Sequence, residues 1–254
     1  MEADLSPEEY RAIWEQKPAL RAVYRDYYRR LAEWCRPGVV VEVGAGSGNL
    51  ADELPLDGRS WLVASDIVPS RHVDLALDAQ AMPFADGSIG TVAGVDVLHH
   101  IEFPRLFLTE VRRVLAPAGR LVLMEPAITP VSRVVMKLGH PEPIVFGVDP
   151  LAVGDPDPDR HPFDANQAVP TMLAGAHRHR LETEVGLRLV HEERLSLVAY
   201  PLSGGFRPWS LLPGKAVAPM LRAEARLAPR LGRYLGFRLM LVLERCSTAI
   251  TPSS

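Results

Sequence analysis

The first 36 residues repeat apolar side chains at helical spacing, which predicts two helices ahead of the rest of the chain. Residues 6–9 have the pattern of a capping box with proline at the first helical position. After Pro18 the apolar face continues, and arginines occupy the opposite face. The apolar face consists of Leu20, Val23, Tyr24, Tyr27, Tyr28, Leu31 and Trp34.

From residue 37 onward the pattern changes to short apolar runs separated by turns, which is typical of alternating strands and helices. Strands are predicted at residues 39–43, 61–66, 73–77, 91–95 and 120–124, and helices at 49–54 and 103–115. The first run is rich in valine, as expected for a strand buried on both faces. These elements predict an α/β fold.

A proline-rich segment follows a predicted helix at residues 129–138. Residues 139–170 contain seven prolines and five aspartates, a spacing that leaves no regular element. Its apolar residues favour an ordered lid over a disordered loop. Within it, the Asp155–His161 run invites comparison with a cation site, but its prolines favour a solvated loop, so we expect no metal ion there.

The remaining chain is predicted to form helices at 165–174 and 178–186 and strands at 195–200 and 235–244. Residues 201–234 separate the last two strands and form a second insertion. Its helix carries an arginine stripe, and Val217, Met220, Leu221, Leu227 and Leu231 lie away from it. The stripe consists of Arg222, Arg226, Arg230 and Arg233. The helix is interpreted as a cover with a solvated arginine face, as an apolar wall for an apolar acceptor, as an arginine site for a phosphorylated or carboxylated acceptor, or as a contact with an anionic membrane.

A glycine-rich loop directly after the first strand is the strongest chemical signal. Gly44, Gly46 and Gly48 allow a sharp turn and the close approach of a ligand, with Glu42 just ahead of them. The amides of the next helix would point toward that ligand. The loop alone also fits the dinucleotide pattern G-x-G-x-x-G/A, or a glycine turn that binds no ligand.

The order of the following parts narrows these alternatives. The second strand ends in Asp66, the third in Asp78-Ala79, the fourth in Asp96, and the fifth in Glu125-Pro126. Across residues 38–126 this order resembles the class I S-adenosylmethionine-dependent methyltransferases, particularly the methyltransferase type 11 branch that includes ubiquinone/menaquinone-type enzymes. The resemblance implies a Rossmann-like seven-stranded sheet, mostly parallel with an antiparallel last strand, plus a helical N-terminal cover and two insertions.

The resemblance also implies the residues that bind S-adenosylmethionine and its product S-adenosylhomocysteine. The methionine portion would contact the first motif, formed by Glu42, Gly44, Ala45, Gly46, Gly48 and Asn49. Asp66 would hold the ribose hydroxyls, and Ile67 would lie against the adenine. Asp78, Ala79 and Gln80 would contact the adenine edge, and Val95 and Asp96 would flank the transferable methyl. Turn capping is the alternative role for Asp66 and Asp78.

Candidate acceptor-site residues are less well defined. His99 and His100 follow the fourth strand, at the edge of the sheet where ligands bind, and either could act as a general base or a structural contact. His140 and His161 are weaker candidates. Tyr24 and Tyr28 would line the acceptor pocket from the N-terminal helices, although an aromatic stripe also suits a core. Phe206 and Trp209 would contribute from the second insertion.

Composition supports a soluble enzyme. The 254 residues are 47% apolar, enough for one domain over residues 1–254, in which residues 37–126 bind the cofactor. A net charge of −3 argues against nucleic acid as a partner. No leader-like or membrane-spanning segment is apparent, so we expect a cytoplasmic protein, with peripheral membrane contact left open. The two cysteines, Cys35 and Cys246, argue against a disulfide framework or a zinc cluster.

The sequence therefore predicts a small-molecule methyltransferase that acts at oxygen or carbon. The absence of an Asn/Asp-Pro-Pro-Tyr signature after the fourth strand opposes methylation of nucleobase amines. One alternative is a protein that binds the cofactor without transferring methyl. A nicotinamide-dependent oxidoreductase is a second alternative, which Asp78-Ala79 and the antiparallel ending oppose.

Overall fold

A seven-stranded sheet organises the molecule in the computed structural model, which describes residues 5–54, 56, 58, 60–139 and 142–247. The strand order is β3-β2-β1-β4-β5-β7-β6. β7 runs antiparallel to both β5 and β6, and the other pairings are parallel. This confirms the predicted mixed sheet with an antiparallel last strand. The strands are β1 (Gly38–Val43), β2 (Ser60–Asp66), β3 (Leu75–Ala76), β4 (Ile89–Val95), β5 (Leu115–Pro126), β6 (Leu187–Leu195) and β7 (Arg238–Arg245).

Helices cover both faces of this sheet. In chain order they are α1 (Pro7–Gln16), α2 (Pro18–Trp34), α3 (Asn49–Glu53), α4 (Pro104–Val114), α5 (Pro130–Gly139), α6 (Val169–Ala174), α7 (Arg178–Arg180), α8 (Ala199–Ser203) and α9 (Gly214–Leu235). A 3-10 turn spans Leu98–His100, and a π-helical turn spans Leu181–Val185. The predicted capping box of α1 is present, since Ser6 and Glu9 bond to each other's backbone amides.

Alternating strand residues build two apolar layers. Val41 and Leu121 point into a core with α4 and α6, while their neighbours Val40 and Val122 point into a second core with α2 and α9. Successive residues of a central strand point to opposite faces of the sheet, and both faces are apolar here. This explains why the sequence reads there as continuous apolar runs.

The strand predicted at residues 195–200 is wrong. β6 spans Leu187–Leu195, and Ala199–Ser203 forms the short helix α8. Glu224 of α9 determines this, because its Oε1 accepts hydrogen bonds from the amides of Val198 (2.5 Å) and Ala199 (2.6 Å) at the start of α8. A contact from a residue 25 positions away overrides the strand preference of a Leu-Val-Ala-Tyr run.

α9 is also rotated relative to the prediction. Its buried face consists of Val217, Glu224, Ala228 and Gly232, while Leu227 and Leu231 are exposed. Close approach to β6 is the cause, because a Cβ on Gly232 would lie 2.4 Å from the Arg194 carbonyl oxygen. Such contact requires small residues at the interface. The four arginines of the stripe are exposed, as expected for a solvated face.

The proline-rich lid has no helix or strand between residues 142 and 168, although it is packed against the sheet. Leu151 is 1% exposed, and Gly154 lies so close to Phe103 that a Cβ would meet its ring at 2.3 Å.

No helix in the described part of the chain has the length and apolarity needed to cross a membrane. On α5, Val131, Val134, Val135 and Leu138 are exposed.

Candidate functional site

The glycine loop lies at the carboxyl end of β1 and takes a left-handed backbone at three positions. Gly44, Gly46 and Gly48 have φ of 68°, 52° and 72°. A Cβ on Gly44 would meet Val97 at 2.8 Å, and one on Gly48 would meet His72 at 3.1 Å. A Cβ on Gly46 would meet nothing within 4 Å. Two glycines are therefore required by the protein's own packing, whereas Gly46 borders open space that a ligand could use.

Glu42 is a buried carboxyl group beside this loop. Only 3% of it is exposed, and its Oε2 has no hydrogen-bond partner. Burial, together with the nearby carboxylates of Asp66, Asp52 and Asp74, raises the pKa of Glu42 to about 8. A buried carboxyl oxygen without a partner is costly unless a ligand supplies a donor or a positive charge. The α-ammonium of a methionine group has that chemistry.

Asp66 and Asp78 mark the ends of β2 and of the segment after β3. Asp66 Oδ2 accepts from the Gly46 amide (2.8 Å), and Oδ1 accepts from the Val68 amide (2.9 Å). Asp78 Oδ1 accepts from the Gln80 amide (2.8 Å). Both acids therefore cap turns, which is the alternative role given for them in the sequence analysis. Both also lie at the edge of the sheet that was predicted to bind the ribose and the adenine. Ile67 is 56% exposed beside Asp66.

The N-terminal helices lie over the glycine loop. Arg11 of α1 pairs with Asp52 (2.6 Å) and donates to the Ser47 carbonyl oxygen (3.4 Å). From α2, Arg25 pairs with Glu53 (2.8 Å) at the end of α3. These contacts join α1 and α2 to the segment that follows the loop, so the N-terminal segment covers the predicted cofactor site.

An ion pair between half-buried Asp96 and buried Arg238 lies at the end of β4. Asp96, with φ of 57°, accepts from Arg238 Nη1 at 2.7 Å and from the Tyr24 hydroxyl at 3.3 Å. Arg238 is 2% exposed, its Nε has no hydrogen-bond partner, and its guanidinium lies over the rings of Tyr27 (5.5 Å) and Tyr200 (5.1 Å). Burial would raise the pKa of Asp96, but Arg238 lowers it below its usual value, so the pair stays charged.

Three of the four predicted acceptor residues come together here. The Tyr24 ring lies 5.9 Å from the Tyr28 ring and 5.7 Å from the Phe206 ring. Trp209 lies elsewhere, since it is 43% exposed and packs against Gly204. Tyr24 and Tyr28 are 3% and 2% exposed, so they belong to the apolar core as well as to the cluster near Asp96.

The two histidines have different surroundings. His99 is 3% exposed, with Nδ1 2.7 Å from Glu125 Oε2 and Nε2 3.5 Å from Glu142 Oε2. Burial would lower the pKa of His99, but the two carboxylates raise it to about 10. Burial lowers the pKa of His100, as does the positive charge of His99, and His100 Nδ1 is buried without a partner. Only His100 is neutral near pH 7 and able to accept a proton.

The lid contacts this histidine turn directly. Arg160 Nη1 donates to the His100 carbonyl oxygen (2.7 Å), and the Asn166 amide donates to that of His99 (2.8 Å). His161 is exposed, and its ring lies 5.9 Å from that of Phe163, which in turn contacts His100. His140 lies outside the described residues. The lid therefore covers the ends of β4 and β5.

Arg238 and Glu125 are the residues that sequence reasoning missed. Each is a charged residue next to a run of apolar residues in its strand, and that was the available signal. Arg238 pairs with Pro126 across the antiparallel β5–β7 ladder, which brings the start of β7 to the carboxyl edge of the parallel strands. Glu125 accepts from the amides of Val97 (3.0 Å) and Leu98 (2.8 Å) and so holds the 3-10 turn.

Comparisons with known proteins agree with this geometry. The strand order β3-β2-β1-β4-β5-β7-β6 with an antiparallel β7 is that of the class I methyltransferase fold. Residues 41–123, about a third of the chain, match the family model described as "Methyltransferase domain".

Solved structures share the fold at low sequence identity. A methyltransferase dependent on S-adenosylmethionine from Archaeoglobus fulgidus is 14% identical, with a TM-score of 0.51 over 89% of this chain and 94% of that one. The [4+2]-cyclase SpnF is 17% identical, with a TM-score of 0.54 over 89% and 82%. An uncharacterised 37.1 kDa protein in transposon TN4556 of Streptomyces fradiae is 44% identical over 59 residues, which are 23% of this chain and only 17% of that protein.

Proposed function

We propose that this protein is an S-adenosylmethionine-dependent methyltransferase that acts on oxygen or carbon of a small molecule. The observation that carries the proposal is Glu42 Oε2, a buried acceptor without a partner, beside the open space at Gly46. A ligand with a positively charged group near a flat adenosine portion suits both features. The domain match to residues 41–123 supports the same cofactor.

The cofactor would be held by the edge from β1 to β3. Glu42 would accept from its ammonium, and the loop residues Gly44, Ala45, Gly46, Gly48 and Asn49 would surround the methionine portion. Asp66 would accept from the ribose hydroxyls, Ile67 would cover the adenine, and Asp78, Ala79 and Gln80 would contact its edge. When bound, the sulfonium supplies an electrophilic methyl group.

The protein's own contribution is alignment and exclusion of water. Val95 and Asp96 lie at the tip of β4, where the predicted methyl position and the aromatic cluster meet. Tyr24, Tyr28 and Phe206 offer an apolar wall with hydroxyl groups, and the Asp96–Arg238 pair offers fixed charges. An acceptor with both apolar and hydrogen-bonding parts fits these surroundings. Where the acceptor loses a proton, His100 is the available base, since His99 already carries its proton.

Other features support the wider assignment. α2, α8 and α9 pack on the same apolar layer as β1 and β5, which supports one domain over residues 1–254. The net charge of −3 favours a small-molecule acceptor over nucleic acid. We place the reaction in cytoplasmic biosynthesis, and the exposed apolar face of α5 keeps peripheral membrane contact as a prediction.

A cofactor-binding protein that transfers no methyl is the second candidate. The fold of the [4+2]-cyclase SpnF is similar to this one, and the name of that protein describes a cyclisation. A nicotinamide oxidoreductase is a weaker candidate, because the Asp78 turn and the antiparallel β7 differ from the expected dinucleotide fold.

Ligand titration tests the cofactor assignment. We expect the purified chain to bind S-adenosylmethionine and S-adenosylhomocysteine in calorimetry and to give no heat with NAD. Binding of NAD without binding of S-adenosylmethionine would overturn the assignment. A screen of hydroxylated aromatic and quinol acceptors, followed by mass spectrometry for a methylated product, separates the methyltransferase from the non-methylating alternative.

A matched pair of variants tests the acceptor site. Phe206→Ala removes a ring that contacts Tyr24 and should raise the acceptor KM, whereas Trp209→Ala changes an exposed ring and should leave it unchanged. Cofactor affinity should be unaffected in both. Equal effects of the two substitutions would move the acceptor site away from the aromatic cluster.

A further inference from the structure

Three side chains that bind metals elsewhere in proteins meet beneath the lid. His99 and His100 come from the 3-10 turn after β4, and Glu142 comes from the start of the proline-rich segment. One potential ligand atom from each lies within 4.8 Å of the others. In the described part of the chain no other group of His, Cys, Asp and Glu residues meets this condition. Two imidazoles and one carboxylate are a common ligand set for first-row transition metals.

The spacing fits one ion. His99 Nε2 and Glu142 Oε2 are 3.5 Å apart. Zinc binds nitrogen and oxygen ligands at about 2.0–2.2 Å, so adjacent ligand atoms around one ion are separated by about 3.0–3.5 Å. The two atoms are therefore close to the separation that a shared ion requires, without rearrangement of the backbone.

Hydrogen-bond partners orient two of the three proposed ligands, His99 and Glu142, as in known metal sites. Glu125 Oε2 lies 2.7 Å from His99 Nδ1, which places the proton on that nitrogen and leaves Nε2 for an ion. Gln167 Nε2 donates to Glu142 Oε2 at 2.6 Å, and Gln167 is itself 3% exposed. A carboxylate behind a metal-binding histidine fixes its ring orientation and increases its basicity.

His100 supplies an independent observation. Its Nδ1 is buried and has no hydrogen-bond partner. Buried polar atoms are nearly always paired, so an orphan in a functional region calls for an unseen partner. An ion bound at this nitrogen would satisfy it, and His99 and Glu142 are the further ligands close to His100.

We propose that His99, His100 and Glu142 bind a first-row transition metal dication of the zinc and cobalt type. Three protein ligands leave at least one position for water or for an oxygen of the acceptor. Because Glu142 belongs to the lid and the histidines to the end of β4, the ion also joins the lid to the sheet. This revises the expectation of no metal, which rested on the exposed aspartate run and on the two cysteines.

The ion and a proton compete for the same atoms. With an ion on Nδ1, His100 no longer serves as a base, and an acceptor hydroxyl bound to the ion would lose its proton to solvent instead. Without an ion, His99 keeps its proton between Glu125 and Glu142, and the cluster is only a structural ion pair. Metal binding by the protein alone distinguishes the two, and it does so independently of the cofactor proposal.

The experiment titrates Co²⁺ and Zn²⁺ into the full chain after treatment with a chelator, with no cofactor or acceptor present. We expect one ion per chain in calorimetry and visible absorption from Co²⁺ with imidazole ligands. His100→Ala and the conservative Glu142→Gln should each weaken binding by at least about 10-fold, the loss seen even when outer partners of a metal site are removed. His161→Ala, an exposed histidine of the same lid, is the matched control and should bind as the parent does.

Circular dichroism verifies that each variant is folded. Absence of stoichiometric Co²⁺ or Zn²⁺ binding in the parent would overturn the proposal. Equal affinity in the parent, His100→Ala and Glu142→Gln would do so too, since the ion would then lie elsewhere. Tighter binding of Mg²⁺ than of Zn²⁺ would contradict the proposed class of metal.

Discussion

The proposed cofactor edge and the proposed acceptor side of this molecule are built in different ways. The cofactor edge comes from one stretch of chain, residues 42–80, and depends on left-handed glycines and acids at strand ends. The acceptor side gathers Tyr24, Asp96, Phe206 and Arg238, which are far apart in the sequence. One edge presents an unpaired carboxyl oxygen, whereas on the other side the central carboxylate, Asp96, is paired.

The contrast indicates which part of the site is general and which is particular. A cofactor shared by many enzymes can be held by a short local motif, because the loop backbone itself forms the contact. An acceptor needs its own arrangement of rings and charges, and we propose that the N-terminal helices and the two insertions supply it. Substitutions at the proposed cofactor edge should therefore weaken cofactor binding. Substitutions on the proposed acceptor side should instead affect stability or acceptor binding.

The largest effect is expected from Gly46→Val. A side chain at Gly46 enters the open space assigned to the cofactor, so binding of S-adenosylmethionine should fall below detection in calorimetry. Gly38→Val is the matched control, because Gly38 also has a positive φ (109°) and an open Cβ position but lies at the opposite end of β1. Both changes carry a backbone cost of about 1–2 kcal/mol. Equal loss of binding in both variants would contradict the assignment.

Asp66→Ala should have the next largest effect. It removes the acceptor proposed for the ribose and also the partner of the Gly46 amide, and it should cost about 1–3 kcal/mol of cofactor binding free energy. Asp74→Ala serves for comparison, since Asp74 follows the same strand and accepts from the Ala64 amide at 2.9 Å. Its cofactor affinity should equal that of the parent. Unchanged affinity in Asp66→Ala would show that the ribose lies elsewhere.

Lys17→Met tests how the N-terminal helices are attached to residues 205–209 of the second insertion. Lys17 is 8% exposed, and its Nζ donates to the carbonyl oxygens of Gly205 (2.5 Å), Arg207 (2.7 Å) and Trp209 (2.9 Å). Loss of this donor should lower the free energy of unfolding by about 1–3 kcal/mol. Lys215→Met, at an exposed position, should change it by no more than about 0.5 kcal/mol. Denaturant unfolding of both variants measures the difference, and equal stabilities would be inconsistent with this anchoring role.

The smallest effect is expected on the arginine stripe. Arg222 and Arg226 are exposed, and if they form only a solvated face, Arg222→Ala and Arg226→Ala should leave turnover unchanged and shift stability by at most about 0.5 kcal/mol. An anionic acceptor would instead be bound more weakly by both variants. That loss would shrink with added salt, because charges farther apart than about 8 Å are screened at physiological ionic strength.

The strands and turns that carry the proposed cofactor edge were predicted from the sequence because their signals are local. Glycines, strand ends and the acids after them follow one another, and their order is typical of the fold. The predictions of a strand at residues 195–200 and of the buried face of α9 were wrong. Both depend on Glu224 and Gly232, which contact segments that are distant in the sequence. The Asp96–Arg238 pair and the Glu125–His99 contact were missed for the same reason. Each joins residues that only the folded sheet brings together.

Proton release on cofactor binding is the most direct test of the central claim, that Glu42 receives the positively charged group of S-adenosylmethionine. With its pKa raised to about 8, Glu42 is largely protonated at pH 7 in the free protein. The same shift means that its contribution to stability is lost as pH rises through about 8. Pairing with an ammonium group requires the carboxylate, so binding at pH 7 should release close to one proton.

Calorimetry of S-adenosylmethionine binding at pH 7, in two buffers of different ionisation enthalpy, measures that proton. The parent protein should release nearly one proton per cofactor, and Glu42→Gln should release none and bind more weakly by about 1–3 kcal/mol. Tight binding without proton release, and with the same affinity in Glu42→Gln, would contradict the proposed placement of the cofactor.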